Sequence, residues 1–127
     1  MSFRLSERSI KRLAGVHPRL ISLVREAATL SPVDFMVTEG LRTPERQAAL
    51  MRAGASRTKR SRHLTGHAVD IAALIEGQVR WDWPLYPRIA AAFKAAAARQ
   101  GTAIVWGGDC TSLRDGPHFE LDRRVFP

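Results

Sequence analysis

Apolar residues recur along this chain at two spacings, and the switches between them divide it into elements. Ser6 is placed to cap a short helix running to Ala14, with Gly15 as its stop. A second helix starts near Pro18, where Leu20, Val24, Ala27 and Ala28 fall at helical spacing, and ends before Ser31-Pro32. Asp34 to Glu39 is β-prone and stops at Gly40. Thr43-Pro44-Glu45 then supplies an N-cap, a first-turn proline and an acidic first turn for a helix that ends near Gly54. Ala55 to Arg62 reads as a polar, basic loop. His67 to Ile75 is again strand-like, and Glu76-Gly77 makes a turn into Gln78 to Trp81. Pro84 to Arg99 carries the strongest helical pattern, with Ile89, Ala92, Phe93, Ala96 and Ala97 on one face and Gly101 at its end. That alanine-rich face is expected to pack closely on a sheet. Ala103 to Trp106 and His118 to Leu121 complete the strands. The pattern predicts an α+β fold: one compact domain over residues 1–127, with a small, mainly antiparallel sheet packed against helices.

Composition narrows the partners more than the fold. The hydrophobic share is 45% and no repetitive or linker-like tract interrupts the chain, so disorder and repeats are excluded. The net charge of +8, from 20 Lys+Arg against 12 Asp+Glu, favours an anionic partner such as nucleic acid, phosphate-rich wall polymers or membrane headgroups. Basic residues thicken at Arg57, Lys59, Arg60 and Arg62, which reads as a solvated loop or a contact for anionic material. No zinc-finger pattern, aromatic RNA-binding signature or recognition-helix motif is present, so nucleic acid is not expected. Cys110 is the single cysteine and forms no internal disulfide, which suits assembly in a reducing compartment. Charges scattered from Arg4 to Glu26 leave no signal-peptide core and no membrane span at the N-terminus. Synthesis in the cytoplasm is the expectation, so that an extracytoplasmic target requires another agent to release the protein.

Two segments carry candidate chemistry. In Ser61-Arg62-His63-Leu64-Thr65-Gly66-His67-Ala68-Val69-Asp70, His63 and Asp70 are potential metal ligands, since a catalytic zinc takes three protein donors from His, Asp or Glu and keeps a position for water. Seven extended residues span roughly 23 Å, so the backbone must double back between them. Gly66 is the natural turn because it tolerates positive φ. Asp70 then lies in an otherwise apolar strand, where a carboxylate needs a partner or a metal. In Asp115-Gly116-Pro117-His118-Phe119-Glu120, His118 is a third potential ligand. Asp115 can accept a proton from a water on the metal and pass it to a departing amine. Glu120, two residues on along a strand, shares the face of His118 and suits an orienting role. Arg42, at a strand-to-helix junction, can be aimed at a substrate carboxylate or an oxyanion, or can be a surface residue. Isolated histidines more often cap or pack: His17 reads as helix-terminal, and His67 as a turn or orienting residue. The residues alone leave the metal open, because the long interval before His118 carries no local geometry.

The two segments together resemble the zinc peptidases that comprise D-alanyl-D-alanine carboxypeptidases, vancomycin-resistance D,D-dipeptidases and phage L-alanyl-D-glutamate endolysins. The endolysin branch is the most similar, through Gly15-Val16-His17-Pro18, the stretch Val33 to Thr43, Trp81-Asp82-Trp83-Pro84 and Trp106-Gly107-Gly108-Asp109. The resemblance implies a single catalytic domain with no separate wall-binding module. It implies one Zn2+ on His63, Asp70 and His118 at the sheet edge, Asp115 as base, Arg42 as the substrate or transition-state cation, and Ser61, His67 and Glu120 as orienting or substrate-facing side chains. It further implies hydrolysis of the L-Ala–D-Glu bond in the peptidoglycan stem peptide, by a monomer that contacts anionic envelope polymers after release in phage or prophage lysis. A D,D-carboxypeptidase releasing D-Ala, or a non-catalytic zinc-containing wall-binding module, are the alternatives. Two positions depart from the pattern: Asp115 stands where the carboxypeptidases often have Glu, and Cys110 where an aromatic residue is frequent.

Overall fold

The structure is a computed structural model, and it describes residues 5–54, 61–110 and 114–127. Helix α1 (Glu7–Arg12) is capped by Ser6, whose hydroxyl accepts from Ser9 N, and ends two residues before the predicted limit. Helix α2 (Pro18–Leu30) starts at its N1 proline, with His17 as the N-cap: the ring Nδ1 accepts from Arg19 N at 3.1 Å. Strand β1 (Asp34–Glu39) leads into α3 (Pro44–Arg52), capped by Thr43. Most of the predicted basic loop, including Arg57, Lys59 and Arg60, lies outside the described residues. A 3-10 turn (Arg62–Thr65) then enters β2 (Ala68–Ile75), which pairs with β3 (Gln78–Arg80). Helix α4 (Leu85–Gln100), β4 (Ile104–Trp106), a second 3-10 turn (Gly107–Asp109) and β5 (His118–Leu121) complete the order. Neither 3-10 turn was predicted, since such short turns carry no apolar period.

All strand pairings are antiparallel, in the order β1-β2-β5-β4. β1 occupies one side of β2; on the other, β5 pairs with residues 68–70 and β3 with residues 73–75. The β2–β3 turn places Glu76 (φ 52°) and Gly77 (φ 78°) in the left-handed region, the tight-hairpin geometry whose twist matches the strands. Tyr86 locks this hairpin: its hydroxyl accepts from Ala73 N at 3.2 Å and donates to Arg80 O at 2.8 Å.

The core lies between the sheet and helices α2 and α4, where Leu20, Leu23, Val24, Phe35, Ile71, Ile89, Phe93 and Phe119 are buried. Phe93 joins the layers, stacking 3.8 Å from Phe119 and standing 5.4 Å from Phe35. The alanine face of α4 departs from expectation, because this helix packs chiefly against α2 and only secondarily on the sheet. Small side chains permit close approach of two helices as readily as of a helix and a sheet, and α2 presents an apolar stripe that must be covered. The ends are tied by polar contacts: Arg19 reaches Thr102 Oγ1 at 2.8 Å and Gln100 reaches Glu26 Oε1 at 2.7 Å. This frame brings the end of β1, the start of β2 and the start of β5 to one rim of the sheet.

Candidate metal centre

The first histidine sits on a turn held from three directions. Ser61 Oγ accepts from His63 N at 3.2 Å, and Gly66 closes the turn with φ 75°. A Cβ on Gly66 would stand 2.5 Å from Gly15 O, so both conformation and space demand glycine. Backbone bonds then fasten the turn to distant segments: Arg42 N donates to His63 O and His17 N to Gly66 O, both at 2.8 Å, and Leu121 N donates to His67 O at 2.9 Å. The His63 ring is consequently fixed. Its Nδ1 donates to Gly40 O at 2.9 Å, which leaves the lone pair on Nε2. Gly40 can approach because it lacks a Cβ, which would lie 2.2 Å from Arg12 O.

Asp70 and His118 face that lone pair. They are cross-strand partners in β2 and β5, which explains how a residue so far along the chain returns to the first segment. Asp70 Oδ1 lies 3.0 Å from His118 Nδ1, and Oδ2 lies 3.3 Å from His63 Nε2. The other His118 nitrogen, Nε2, meets Glu120 Oε1 at 3.0 Å. The ring therefore turns Nδ1 inward while Glu120 contacts its other nitrogen.

Charge in the cluster is concentrated. Burial alone would raise the Asp70 pKa, but contacts led by the hydrogen bond from the His118 imidazole outweigh it and hold it well below the ordinary carboxylate range. Burial likewise lowers that of His118, yet Asp70 and Glu120 outweigh it and push the value up to about 10. The site thus stabilises positive charge between its carboxylates. The decisive atom is His63 Nε2, which is buried and has no hydrogen-bond partner. An orphaned polar atom of this kind is costly unless a ligand satisfies it. One donor atom from each of His63, Asp70 and His118 lies within 4.8 Å of the others, so the group could hold a metal ion. Two imidazoles and one carboxylate are a donor chemistry compatible with a zinc ion.

Asp115 sits next to this cluster. Its backbone N donates to Gly107 O and its O accepts from His118 N, both at 3.1 Å. Gly107 makes room, since a Cβ there would stand 3.1 Å from both Asp115 Cβ and His118 Cβ. Partial burial and the Asp70 charge raise the Asp115 pKa, as suits a group that takes and returns a proton.

The structure encloses two arginines near the centre. Arg42 is only 8% exposed, and Glu39 engages it bidentately at 2.7 and 2.8 Å. Its Nη1 donates to Gln47 Oε1 at 2.7 Å and to Ser61 Oγ at 3.4 Å, and its Nη2 lies 3.8 Å from Asp70 Oδ2. Arg42 thus ties β1 and α3 together and stands beside Asp70, at the margin of the cluster. Arg62, read from sequence as part of the basic loop, also turns inward. It donates to Leu121 O at 3.2 Å and Phe126 O at 2.6 Å, and its Nε lies 3.7 Å from Glu120 Oε2. His67 bonds Thr65 Oγ1 at 2.6 Å in the turn, and Cys110 is exposed; neither belongs to the three-residue cluster. The Glu39 pairing with Arg42 was missed, because in a strand-to-loop junction a spacing of three carries no contact signal.

A family model described as phage L-alanyl-D-glutamate peptidase matches residues 1–126. The chain belongs to that family. A relative named L-alanyl-D-glutamate peptidase from Escherichia phage T5 is 35% identical over 130 residues, covering 99% of this chain and 94% of the relative. A second of the same name, from Listeria phage A118, is 36% identical over 94 residues, which is 74% of this chain and 32% of that protein. Among solved structures, the Serratia marcescens L-Ala D-Glu endopeptidase ChiX superposes with a TM-score of 0.94 at 48% identity, covering 99% of this chain and 95% of ChiX. The family match and the metal-binding geometry thus agree over one fold.

Proposed function

We propose that this chain is a zinc-dependent endolysin that hydrolyses the L-Ala–D-Glu bond of the peptidoglycan stem peptide. Membership of the peptidase family supports the substrate, and the unpartnered Nε2 of buried His63, facing Asp70 beside His118, carries the argument for the metal. His63, Asp70 and His118 would hold the zinc, which would supply Lewis-acid activation of a water nucleophile and of the scissile carbonyl. Asp115 accepts the proton released as the water attacks and hands it to the departing D-Glu amine. Gly40 O and Glu120 keep the two imidazoles in the binding tautomers. Arg42 fixes Glu39 and the rear of Asp70, acting on the centre through them. All the named side chains come from one chain, so a monomer suffices, and the excess positive charge suits anionic envelope polymers. Among the described residues no helix is long and apolar enough to cross a membrane.

Digestion of purified peptidoglycan by wild type, by Asp115→Ala and by chelator-treated protein tests this reading. New N-terminal D-Glu from wild type alone, restored to the chelated sample by zinc, is the expected result. Release of free D-Ala would instead make the protein a D,D-carboxypeptidase, and wall binding without new termini would make it a non-catalytic module.

A further inference from the structure

Arg42 is the cation expected to meet the substrate, and most of its N–H donors are engaged by Glu39 and Gln47. Other arginines around the centre also have carboxylate neighbours: Arg62 and Arg123 each stand 3.7 Å from Glu120, and Arg46 stands 3.7 Å from Glu39. Arg114 differs. Its guanidinium is held over the Trp83 ring, 5.7 Å from the centroid, and among the described residues it has no acidic partner. A cation–π contact engages the charge but leaves N–H donors available for a carboxylate.

Both members of this pair are rigidly rooted. Trp83 stacks on Trp106 with centroids 5.8 Å apart, and Trp106 Nε1 donates to Gly116 O at 2.8 Å. The segment after Arg114 is pinned by Asp115 N to Gly107 O and by Ile71 N to Pro117 O at 3.0 Å. Trp83 nevertheless remains 40% exposed, so an aromatic face and an available cation lie together on the surface, the cation one residue before Asp115 in the chain.

Chemistry says which part of the substrate arrives there. In the proposed reaction Asp115 protonates the leaving nitrogen, which belongs to D-Glu. The stem peptide continues through the γ-carboxyl of that residue, so its α-carboxylate is free and is attached to the carbon bearing the leaving nitrogen. A carboxylate must therefore lie beside the group that Asp115 serves, and the residue adjacent to Asp115 is Arg114. We infer that Arg114, held on Trp83, forms a subsite for the free α-carboxylate of D-Glu and so sets the preference for that residue on the leaving side. The inference rests on the proposed L-Ala–D-Glu activity.

The test compares two soluble stem peptides that differ at one group, D-Glu against D-isoglutamine, in which the α-carboxylate is an uncharged amide. For wild type, kcat/KM should favour the D-Glu peptide on the order of ten- to a hundredfold, the range for a charge-assisted pair with one charge removed. In Arg114→Met the ratio should fall to about one, through loss on the D-Glu peptide, and Arg114→Lys should recover part of it. Trp83→Leu should lower the ratio less. Parallel loss on both peptides in Arg114→Met, which a purely structural role would produce, overturns the inference, as does a ratio that survives the substitution. If wild type cleaves both peptides equally, the subsite is refuted while the activity stands; if it cleaves neither, the activity falls and takes the subsite with it.

Discussion

Glu120→Ala isolates the support behind one metal ligand. Glu120 Oε1 holds His118 Nε2 at 3.0 Å while Nδ1 faces Asp70, so this carboxylate fixes both ring angle and tautomer. Removing such a partner typically lowers metal affinity about 10- to 100-fold, or about 1.4–2.7 kcal/mol. The lower half of that range is expected, because His118 retains 17% exposure and water can replace part of the lost bond. Glu120→Gln keeps an acceptor of the same length without its charge and should lose less than about tenfold, since neutral hydrogen bonds are roughly half as strong as charge-assisted ones. Competition against a chromogenic chelator of known zinc affinity reads the metal directly, and thermal melting of the metal-free proteins reads the fold separately. Stability should also fall in both variants, since Arg62 and Arg123 lose the charge lying 3.7 Å from each of them. Equal zinc affinity in wild type and Glu120→Ala would refute the claim that this residue orients His118.

Asp115→Ala should retain one zinc per chain by elemental analysis while kcat falls about 10²- to 10⁴-fold; loss of the metal would show that the residue holds the site rather than moves a proton. Gly40→Ala places a Cβ 2.2 Å from Arg12 O and must displace the carbonyl that binds His63 Nδ1. It should cost about 1–3 kcal/mol in denaturant unfolding and weaken zinc binding as well, and an unchanged midpoint would show that the close approach is not required. Glu39 has its pKa lowered from 4.5, first by the hydrogen bonds from Arg42. Its contribution to stability is therefore present above the unfolded value and is lost as pH falls through the folded one. The difference in unfolding free energy between wild type and Glu39→Gln should shrink on acidification below about pH 4.5, and a difference constant down to pH 2 would contradict the pairing.

Elements with a strong local period were legible from the sequence. The strand Asp34–Glu39 matches the predicted bounds, and α2 begins at the predicted proline, because capping and alternation are written within a few residues. The partner of α4 was not legible, since an alanine face shows that something packs closely without saying what. The three clustered donors were recognisable as types, but their meeting depends on Asp70 and His118 becoming cross-strand partners, a long-range pairing that no local pattern encodes. The enclosure of Arg42 and Arg62 was not legible for a related reason. A charged side chain near a site looks alike in sequence whether it faces solvent or is enclosed by Glu39 and Gln47, or by the carbonyls of Leu121 and Phe126.

The turn bearing His63 borrows hydrogen bonds from the loop ahead of α2, from the β1–α3 junction and from β5. These partners are spread from His17 to Leu121, so no short local piece of the polypeptide assembles it. An ion bound there acts as a latch on the native state, adding about 2.7 kcal/mol when its free concentration is a hundred times its dissociation constant. Loss of the ion and loss of the tertiary structure should then be strongly linked, and a nascent chain should not sequester zinc before its last strand has docked.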